Sequence, residues 1–274
     1  MVNGLCDKTM VDMNWTEIKK YADKQAVVLI PIGVIEEHGP HLCLGTDIYT
    51  AHLQCIYISR RLESYNIPSV IAPPFYWGIC QATGSFIGSF TMRKETARAL
   101  LIDIIDSLVR FGFKKIFGIN AHGDIEQNIV IMEAFKEASE KYQAGISYVF
   151  LRHLLHHYGL TGDEAHICPL EQQKISVGNS RYPDVHAGDI ETATIERYYP
   201  HLVDKDKAET LKPVSLGDDR IMSWLYGGKT EELSPGGYLG SPSEYRQVDV
   251  EKNMNDYSER ISTAIIEYID LHKI

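Results

Sequence analysis

The sequence predicts an α/β protein with three layers, α/β/α, and a mostly parallel central sheet. Short apolar runs rich in β-branched residues alternate along the chain with longer segments that have the period of a helix. Strands that alternate with helices are typical of a parallel sheet covered on both faces. The length of 274 residues is enough to bury one substantial core. We therefore expect a single domain over residues 1–274.

The individual elements follow from local patterns. The apolar run AVVLIPIG at 26–33 has the length and the β-branched content of a strand that is buried on both faces. A helical period follows at 46–64, where Thr46 or Asp47 would cap the first turn. The same alternation predicts, in order, a strand at 69–75, a helix at 93–112, a strand at 114–120, a helix at 125–142 and a strand at 145–151.

The pattern is looser from about 153 to 250, and the segment SPGGYLGSPSEY within it is rich in turn-forming residues. A compact domain keeps long irregular segments mainly for function, so we expect loops of an active site in this part. A long helix is predicted at 250–273.

The composition argues against some classes of partner. A formal net charge of -10 argues against nucleic acid, because proteins that bind phosphate backbones carry basic surfaces. No uncharged run approaches the roughly 20 residues that span a bilayer, and no apolar stretch follows a basic cluster near residue 1. The five scattered cysteines include no C-x-x-C pair and fit a reducing compartment. We expect a cytoplasmic protein with a small-molecule substrate and no membrane partner.

Side chains that bind metals or move protons are concentrated in PIGVIEEHGPHLCLGTD, residues 31–47. Glu36 and His38 are two residues apart, and in an extended chain such residues point to the same side, so both can face one metal. Asp47 opens the next helix, where its carboxylate can turn back toward the strand end and bridge two ions.

Two further clusters have the same character. In GINAHGDIEQN, His122 and Asp124 come directly after another predicted strand, again two residues apart. The segment DVHAGDIETAT offers one imidazole and two carboxylates: His186, Asp189 and Glu191. Open α/β sheets bind ligands at the carboxyl ends of their strands. Imidazole and carboxylate ligands without thiolate suit zinc or manganese, so hydrolysis or a related Lewis-acid step is predicted.

Several other polar residues have structural or surface roles as the alternative to metal binding. Adjacent glutamates such as Glu36 and Glu37 are most often a solvated face, and His41 after Pro40 fits a structural role in a tight turn. Glu126 is expected on an exposed helix face. Three histidines are expected in a surface loop: His153, His156 and His157.

Three motifs resemble, in order, the signatures of the creatininase (creatinine amidohydrolase) family. PIGVIEEHGPHLCLGTD resembles P-x-G-S-x-E-Q-H-G-P-H-L-P-x-x-T-D, NAHGDIEQN resembles N-G-H-G-G-N or N-G-H-Y-E-N, and HAGDIETA resembles H-A-G-x-x-E-T. A later GGYLGSP resembles the element G-V-x-G-D-P. The resemblance covers most of the chain, which is identified as a member of this family with a creatininase-like fold.

The resemblance implies two divalent ions, Zn²⁺ and/or Mn²⁺. Glu36, Asp47 and His122 would hold one ion. His38, Asp47 and Asp124 would hold the other, with Asp47 bridging the two. The resemblance also implies assembly as a homo-oligomer, a hexamer.

The second ion leaves alternatives open. Asp124 stands where creatininase itself has glutamate and many relatives have glycine, so its reach is shorter. Whether Asp124, Glu126 or Glu191 completes this site stays open. By the same resemblance His186 is the proton donor or electrophile near the substrate. Glu191 is then either a metal ligand or a carboxylate that supports the ligands.

The expected reaction is attack of a metal-bridging hydroxide on a carbonyl carbon, with His186 protonating the leaving group. Asp124 or Glu191 would accept the proton of the water. We expect Tyr182, Asp184 and Gly123 to contact the substrate.

The family pattern leaves the substrate open. Cys43 replaces a proline, Ala121 replaces a glycine, and TGSFIGSFTM at 83–92 stands where relatives read H-x-x-F-P-G-T. The family also contains deformylases, peptidases and a hydrolase of a diketo-inositol (3-dehydro-scyllo-inosose). We expect hydrolysis of a small, creatinine-like cyclic amide. The alternatives are ring opening of the diketo-inositol at a C-C bond and a metal-binding module without catalysis.

Overall fold

The computed structural model describes residues 4–142, 144–171, 182–227 and 230–274. The described residues form a five-stranded sheet in the order β2-β1-β3-β4-β5, and every pair of neighbouring strands is parallel. The strands are β1 (Val27–Ile32), β2 (Ser69–Ile71), β3 (Lys115–Asn120), β4 (Gly145–Leu151) and β5 (Ile167–Leu170). The predicted α/β class is confirmed.

The helices of the described residues lie before, between and after the strands. They are α1 (Trp15–Asp23), α2 (Thr46–Ser64), α3 (Lys94–Arg110), α4 (Ile125–Tyr142), α5 (Asp189–Tyr198), α6 (Lys205–Thr210), α7 (Asp218–Leu225), α8 (Thr230–Leu233) and α9 (Val250–His272). Short 3-10 helices lie at Met10–Asp12, Arg152–Tyr158, Pro200–Leu202 and Pro242–Gln247. None of these helices has both the length and the apolar character that a membrane span requires.

Strand β1 is an interior strand of the sheet, paired with β2 and β3, and it separates two helical layers. Its side chains alternate: Val28 and Ile30 belong to the core formed with α3 and α4, whereas Val27 and Leu29 belong to the core formed with α2 and α9. Every residue of β1 is buried. A central parallel strand has no solvent face, which explains the continuous apolar run in the sequence.

Three elements differ from the prediction. Helix α1 was not predicted, although Asn14 and Glu17 form a capping box at its start. Strand β2 is shorter than predicted because Pro73 and Pro74 cannot donate to the ladder. Strand β5 lies in the segment with the looser pattern, and its position at the edge of the sheet tolerates Pro169.

Two glycines set the distance between helices and sheet. A Cβ at Gly33 would lie 2.9 Å from the carbonyl carbon of Asp47, so the first turn of α2 packs directly against the end of β1. A Cβ at Gly118 would lie 2.6 Å from Cζ of Phe135, so α4 packs equally closely onto β3. The approach at Gly33 places Asp47 beside the residues that follow β1.

Candidate metal centre

Five polar side chains converge where β1 and β3 end. Glu36 and His38 follow β1, Asp47 lies in the first turn of α2, and His122 follows β3. These four residues are at most 6% exposed. Glu191, from the first turn of α5, joins them with a side chain that is 23% exposed. Segments far apart in the sequence therefore place nitrogen and oxygen ligands at one edge of the sheet.

The ring of His122 is held in one orientation. Its Nε2 lies 3.0 Å from the carbonyl oxygen of Ile79, and because a carbonyl only accepts, Nε2 carries the proton. Its Nδ1 lies 2.9 Å from Oε1 of Glu36 and 3.1 Å from Oδ2 of Asp47. In the neutral ring Nδ1 is also an acceptor, so three acceptors face one point.

His38 has the same kind of environment. Its Nδ1 donates to the main-chain oxygen of Glu36 at 3.2 Å. Its Nε2 lies 3.3 Å from Oδ1 of Asp47 and 3.8 Å from Oε2 of Glu191. Asp47 thus directs one carboxylate oxygen toward each histidine.

These acceptors fit divalent cations. Among the described residues, Nε2 of His38 and Oδ2 of Asp47 are buried and have no hydrogen-bond partner, which is costly unless a cation pairs with them. The ligand atoms of His38, Asp47 and Glu191 lie within 4.8 Å of one another. Imidazole nitrogen with carboxylate oxygen is a donor set that suits zinc or manganese. The site is therefore a candidate centre for a pair of ions.

The charges of the site favour a cation. Burial lowers the pKa of His38, but the carboxylates of Asp47, Glu191 and Glu36 outweigh burial and raise this pKa to about 10. Burial likewise lowers the pKa of His122, and Glu36 and Asp47 raise it well above its ordinary value. Against the effect of burial, the two histidines hold the pKa of Asp47 below its usual range. The carboxylates that attract a proton here attract a metal ion in the same way.

Asp124 lies next to this centre but faces the backbone. Its Oδ1 accepts hydrogen bonds from the N–H groups of Glu126 (2.8 Å) and Gln127 (3.1 Å). Its Oδ2 accepts from the N–H groups of Gln81 (2.6 Å) and Ala82 (2.9 Å). The carboxylate of Asp124 therefore caps α4 and fixes a neighbouring loop. It belongs to none of the potential metal-binding groups found among the described residues.

The other two carboxylates that the sequence left open have different surroundings. Glu126 forms an ion pair with Lys94, which is half exposed. Glu191 accepts a hydrogen bond from the N–H group of Ala187 and lies beside His38. Of the three carboxylates considered for the second ion, Glu191 is the one that the structure brings to His38 and Asp47.

His186 packs behind His38, with 4.3 Å between the ring centroids. Its Nε2 donates to the main-chain oxygen of Glu37 at 2.8 Å. Its Nδ1 lies 3.9 Å from Oε1 of Glu36 and so faces the centre. The ring of Trp224 contacts the same imidazole, 5.1 Å away between centroids. His186 therefore presents one uncommitted nitrogen to the site.

Two further residues, Tyr182 and Asp184, were expected to contact the substrate. Tyr182 is half-buried. Oδ2 of Asp184 accepts a hydrogen bond from the N–H group of Ile190 at the start of α5. Burial and the neighbouring carboxylates of Glu191 and Asp189 raise the pKa of Asp184 to about 8. Asp184 thus contacts the first turn of α5.

Glu37 and Thr83 belong to the site although the sequence analysis did not place them there. Glu36, expected as a metal ligand, and its neighbour Glu37 are both buried, so the alternative interpretation of adjacent glutamates as a solvated face does not apply here. Oε2 of Glu37 accepts from the N–H group of Gly39 at 2.9 Å, and Oε1 lies 3.4 Å from Nε2 of His186. Thr83 donates a hydrogen bond to Glu36. Thr83 stands at the histidine of H-x-x-F-P-G-T, and that position was the available signal.

Cys80 also lies at the site, grouped with Glu36 and His122. Its thiol donates to the main-chain oxygen of Phe90 at 3.2 Å, and burial raises its pKa, so the thiol is neutral. Nothing in the sequence pattern indicated this contact, because Cys80 is not in a C-x-x-C motif.

The histidines that were expected to have structural or surface roles belong to none of the potential metal-binding groups of the described residues. Nε2 of His41 lies 2.8 Å from Oγ1 of Thr192, and burial lowers the pKa of His41 to about 4. His41 therefore links its turn to α5 as a neutral ring. The predicted surface histidines are all exposed: His153, His156 and His157.

Comparison with known families assigns the chain. The family model described as creatinine amidohydrolase (creatininase) matches residues 11–265. The chain belongs to the creatininase family. The resemblance of the sequence motifs is thereby confirmed.

Creatininase-family relatives with three different activities are similar to this chain. The creatinine amidohydrolase of Pseudomonas putida is 24% identical over 209 residues, 75% of this chain and 77% of that protein. The mycofactocin precursor peptide peptidase of Mycobacterium ulcerans is 27% identical over 226 residues, 81% and 77% of the two chains. The 3-dehydro-scyllo-inosose hydrolase of Thermotoga maritima is 21% identical over 286 residues, 96% and 85%. The chain is a creatininase-family hydrolase whose specific substrate these relatives leave open.

Solved creatininases have the same fold. A tryptophan-to-phenylalanine variant of creatininase has a TM-score of 0.69 at 20% identity, over 94% of this chain and 97% of that chain. A manganese creatininase has a TM-score of 0.61 at 19% identity, over 96% and 97%. A Zn-Zn form of a glutamate-to-glutamine variant has a TM-score of 0.63 at 18% identity, over 95% and 96%. The creatininase-like architecture is confirmed.

Proposed function

We propose that this creatininase-family protein is a divalent-metal-dependent hydrolase that cleaves the C-N bond of a small cyclic amide resembling creatinine. The observation that carries the proposal is that two buried ligand atoms, Nε2 of His38 and Oδ2 of Asp47, have no hydrogen-bond partner. A creatinine amidohydrolase among the relatives supports the amide.

The residues divide into two sets around Asp47. Glu36, Asp47 and His122 would hold one ion, and His38, Asp47 and Glu191 would hold the other. When bound, such ions lower the pKa of a coordinated water to about 7 and polarise a carbonyl. The manganese and Zn-Zn creatininases support these two metals.

The surrounding side chains would orient the ligands and move the proton. Thr83 holds the second oxygen of Glu36, and the carbonyl of Ile79 fixes the ring of His122. Such outer contacts orient metal ligands. His186 has Nδ1 toward the centre, and in its doubly protonated form it would donate the Nδ1 proton to the leaving nitrogen. Glu191, the most exposed carboxylate of the set, is the one that a substrate can approach.

The proposal is tested by metal content and turnover together. Protein loaded with manganese or zinc should hydrolyse creatinine, and a chelated sample should not. His122→Ala should lose bound metal and turnover, whereas the exposed His156→Ala should keep both as a matched control. A His122→Ala protein with unchanged metal content and turnover would falsify the proposal.

A second candidate is hydrolysis of a C-C bond in a cyclic diketone. The alignment with 3-dehydro-scyllo-inosose hydrolase covers 96% of this chain, compared with 75% for creatinine amidohydrolase. The same ligand sets would act on either carbonyl. Assaying creatinine and the diketo-inositol side by side separates the two: turnover of the diketone alone would replace the amide in the proposal. Bound metal without turnover of either substrate would count against both candidates.

A further inference from the structure

A cavity of about 300 Å³ lies beside the metal centre and shares His122 with it. The cavity lies at the carboxyl ends of β3, β4 and β5, the edge at which open α/β sheets bind ligands. Gly123 and Asn120, the neighbours of His122 in its motif, also line the cavity. A molecule bound at the metal centre could therefore extend into this space.

Most of the cavity surface is apolar. Rings of Tyr148, Phe150 and Tyr158 line it, with 5.4 Å between the centroids of successive rings. The hydroxyl of Tyr148 donates to Oδ1 of Asn128 at 2.6 Å. The amide nitrogen of Asn120, which has two hydrogens, lies 2.7 Å from the main-chain oxygen of His122, 3.1 Å from the hydroxyl of Tyr148 and 3.2 Å from Oδ1 of Asn128. Asn120, Tyr148 and Asn128 thus bind one another, so a hydroxyl group placed against them would lose hydrogen bonds to water without regaining them.

Gly123 leaves the wall next to His122 open. A Cβ built at Gly123 would meet no atom within 4 Å. A Cβ at Gly33 or Gly118 would instead meet atoms closer than 3.0 Å. A large side chain at Gly123 would therefore meet no steric obstacle, at a position that lines the cavity.

We propose that this cavity binds an apolar ring carried by the amide substrate, and that Gly123 is a specificity-determining residue that keeps the cavity open. This inference rests on the proposed function, because it assigns the substrate class of the same centre. Ligand pockets begin at about 300 Å³, and an engineered cavity of about 150 Å³ in another protein holds benzene. A ring of benzene size with its linking atoms fits here. Creatinine by itself would leave the cavity unfilled.

The test uses binding of 4-fluorobenzamide to the metal-free protein, followed by ¹⁹F NMR. Gly123→Phe and Leu154→Trp each place a large side chain at the wall of the cavity. Gly4→Phe is the matched control, because its Cβ also meets no atom and Gly4 does not line the cavity. We expect the wild type and Gly4→Phe to bind equally, and both cavity variants to bind at least about tenfold more weakly, which is about 1.4 kcal/mol.

The results that overturn the inference are specific. Failure of the wild type to bind, or equal binding by wild type and the folded cavity variants, would reject the ring site. If Gly123→Phe does not fold, Leu154→Trp alone decides. Metal-dependent hydrolysis of creatinine without ring binding would reject this inference and leave the proposed function intact. Ring binding by a wild-type protein that takes up no manganese or zinc when these ions are supplied would keep the ring site and reject the proposed function.

Discussion

Replacing Gly33 with alanine is expected to weaken metal binding by displacing Asp47. A Cβ at Gly33 would lie 2.9 Å from the carbonyl carbon of Asp47 and 2.9 Å from the nitrogen of Ile48. Non-bonded carbon atoms prefer a separation of about 3.5–4.0 Å. The first turn of α2 must therefore retreat by roughly 0.6–1.1 Å, the difference between these distances. Asp47 moves with that turn.

Both stability and metal affinity should fall. Overpacking of a well-packed contact costs about 1–3 kcal/mol of the free energy of unfolding. Ligand distances at a metal site are met within about 0.2 Å, which is smaller than the expected movement of Asp47. Disturbing the support of a ligand typically lowers metal affinity by about 10–100-fold. We expect a loss in this range for Gly33→Ala.

Gly118→Ala provides the matched control. Its Cβ would lie 2.6 Å from Cζ of Phe135, so stability should again fall, but the contact involves the end of a side chain rather than α2. Urea unfolding of the metal-free proteins measures the stability, and calorimetric titration with zinc measures the affinity. Equal zinc affinities of the two variants would refute the argument that Gly33 positions Asp47.

Other substitutions test the assignment of ligands and the effect of pH. Glu191→Gln should lose the ion held by His38, whereas Asp124→Ala should keep both ions and lose about 0.5–2 kcal/mol of the free energy of unfolding, because its helix cap is broken. Elemental analysis measures the metal content, and urea unfolding measures the stability. Loss of an ion from the Asp124 variant alone would contradict the assignment. Buried His52 donates to the main-chain oxygen of Asp7 at 2.7 Å, and burial lowers its pKa. The contribution of the neutral His52 ring to the free energy of unfolding is therefore complete above the pKa of about 6.5 in the unfolded chain, and it is lost as pH falls below that value. The free energy of unfolding should fall less for His52→Gln than for wild type between about pH 7.5 and 5, and identical pH slopes would exclude His52 as the titrating group.

The sequence contains enough information for most of the sheet and helices, because continuous apolar runs and the helical period are local patterns. Strand β1 and helices α2, α3 and α4 lie where these patterns predict them. Strand β5 was missed because four residues that include Pro169 form no such pattern. This strand forms because it pairs with β4 at the edge of the sheet, and a local sequence pattern does not contain that pairing.

The site was predictable in its composition and less so in its contacts. Residues two apart at strand ends, such as Glu36 and His38, were expected to face one point, and the structure brings them together with Asp47 and His122. The position of Asp124 depends on whether a carboxylate caps its own helix or reaches past it, which spacing does not determine. The burial of Glu37 likewise depends on the remote His186.

The two candidate ion positions differ in how readily solvent reaches them. Glu36, which would hold the first ion, is 1% exposed, whereas Glu191, which would hold the second, is 23% exposed. Glu36 and His122, which belong to the first position alone, follow β1 and β3, whereas Glu191 comes from α5, which does not directly follow an interior strand. An ion at the second position should therefore exchange faster than one at the first. A chelator would then remove the ions one after the other, so that a protein with one ion has a measurable lifetime.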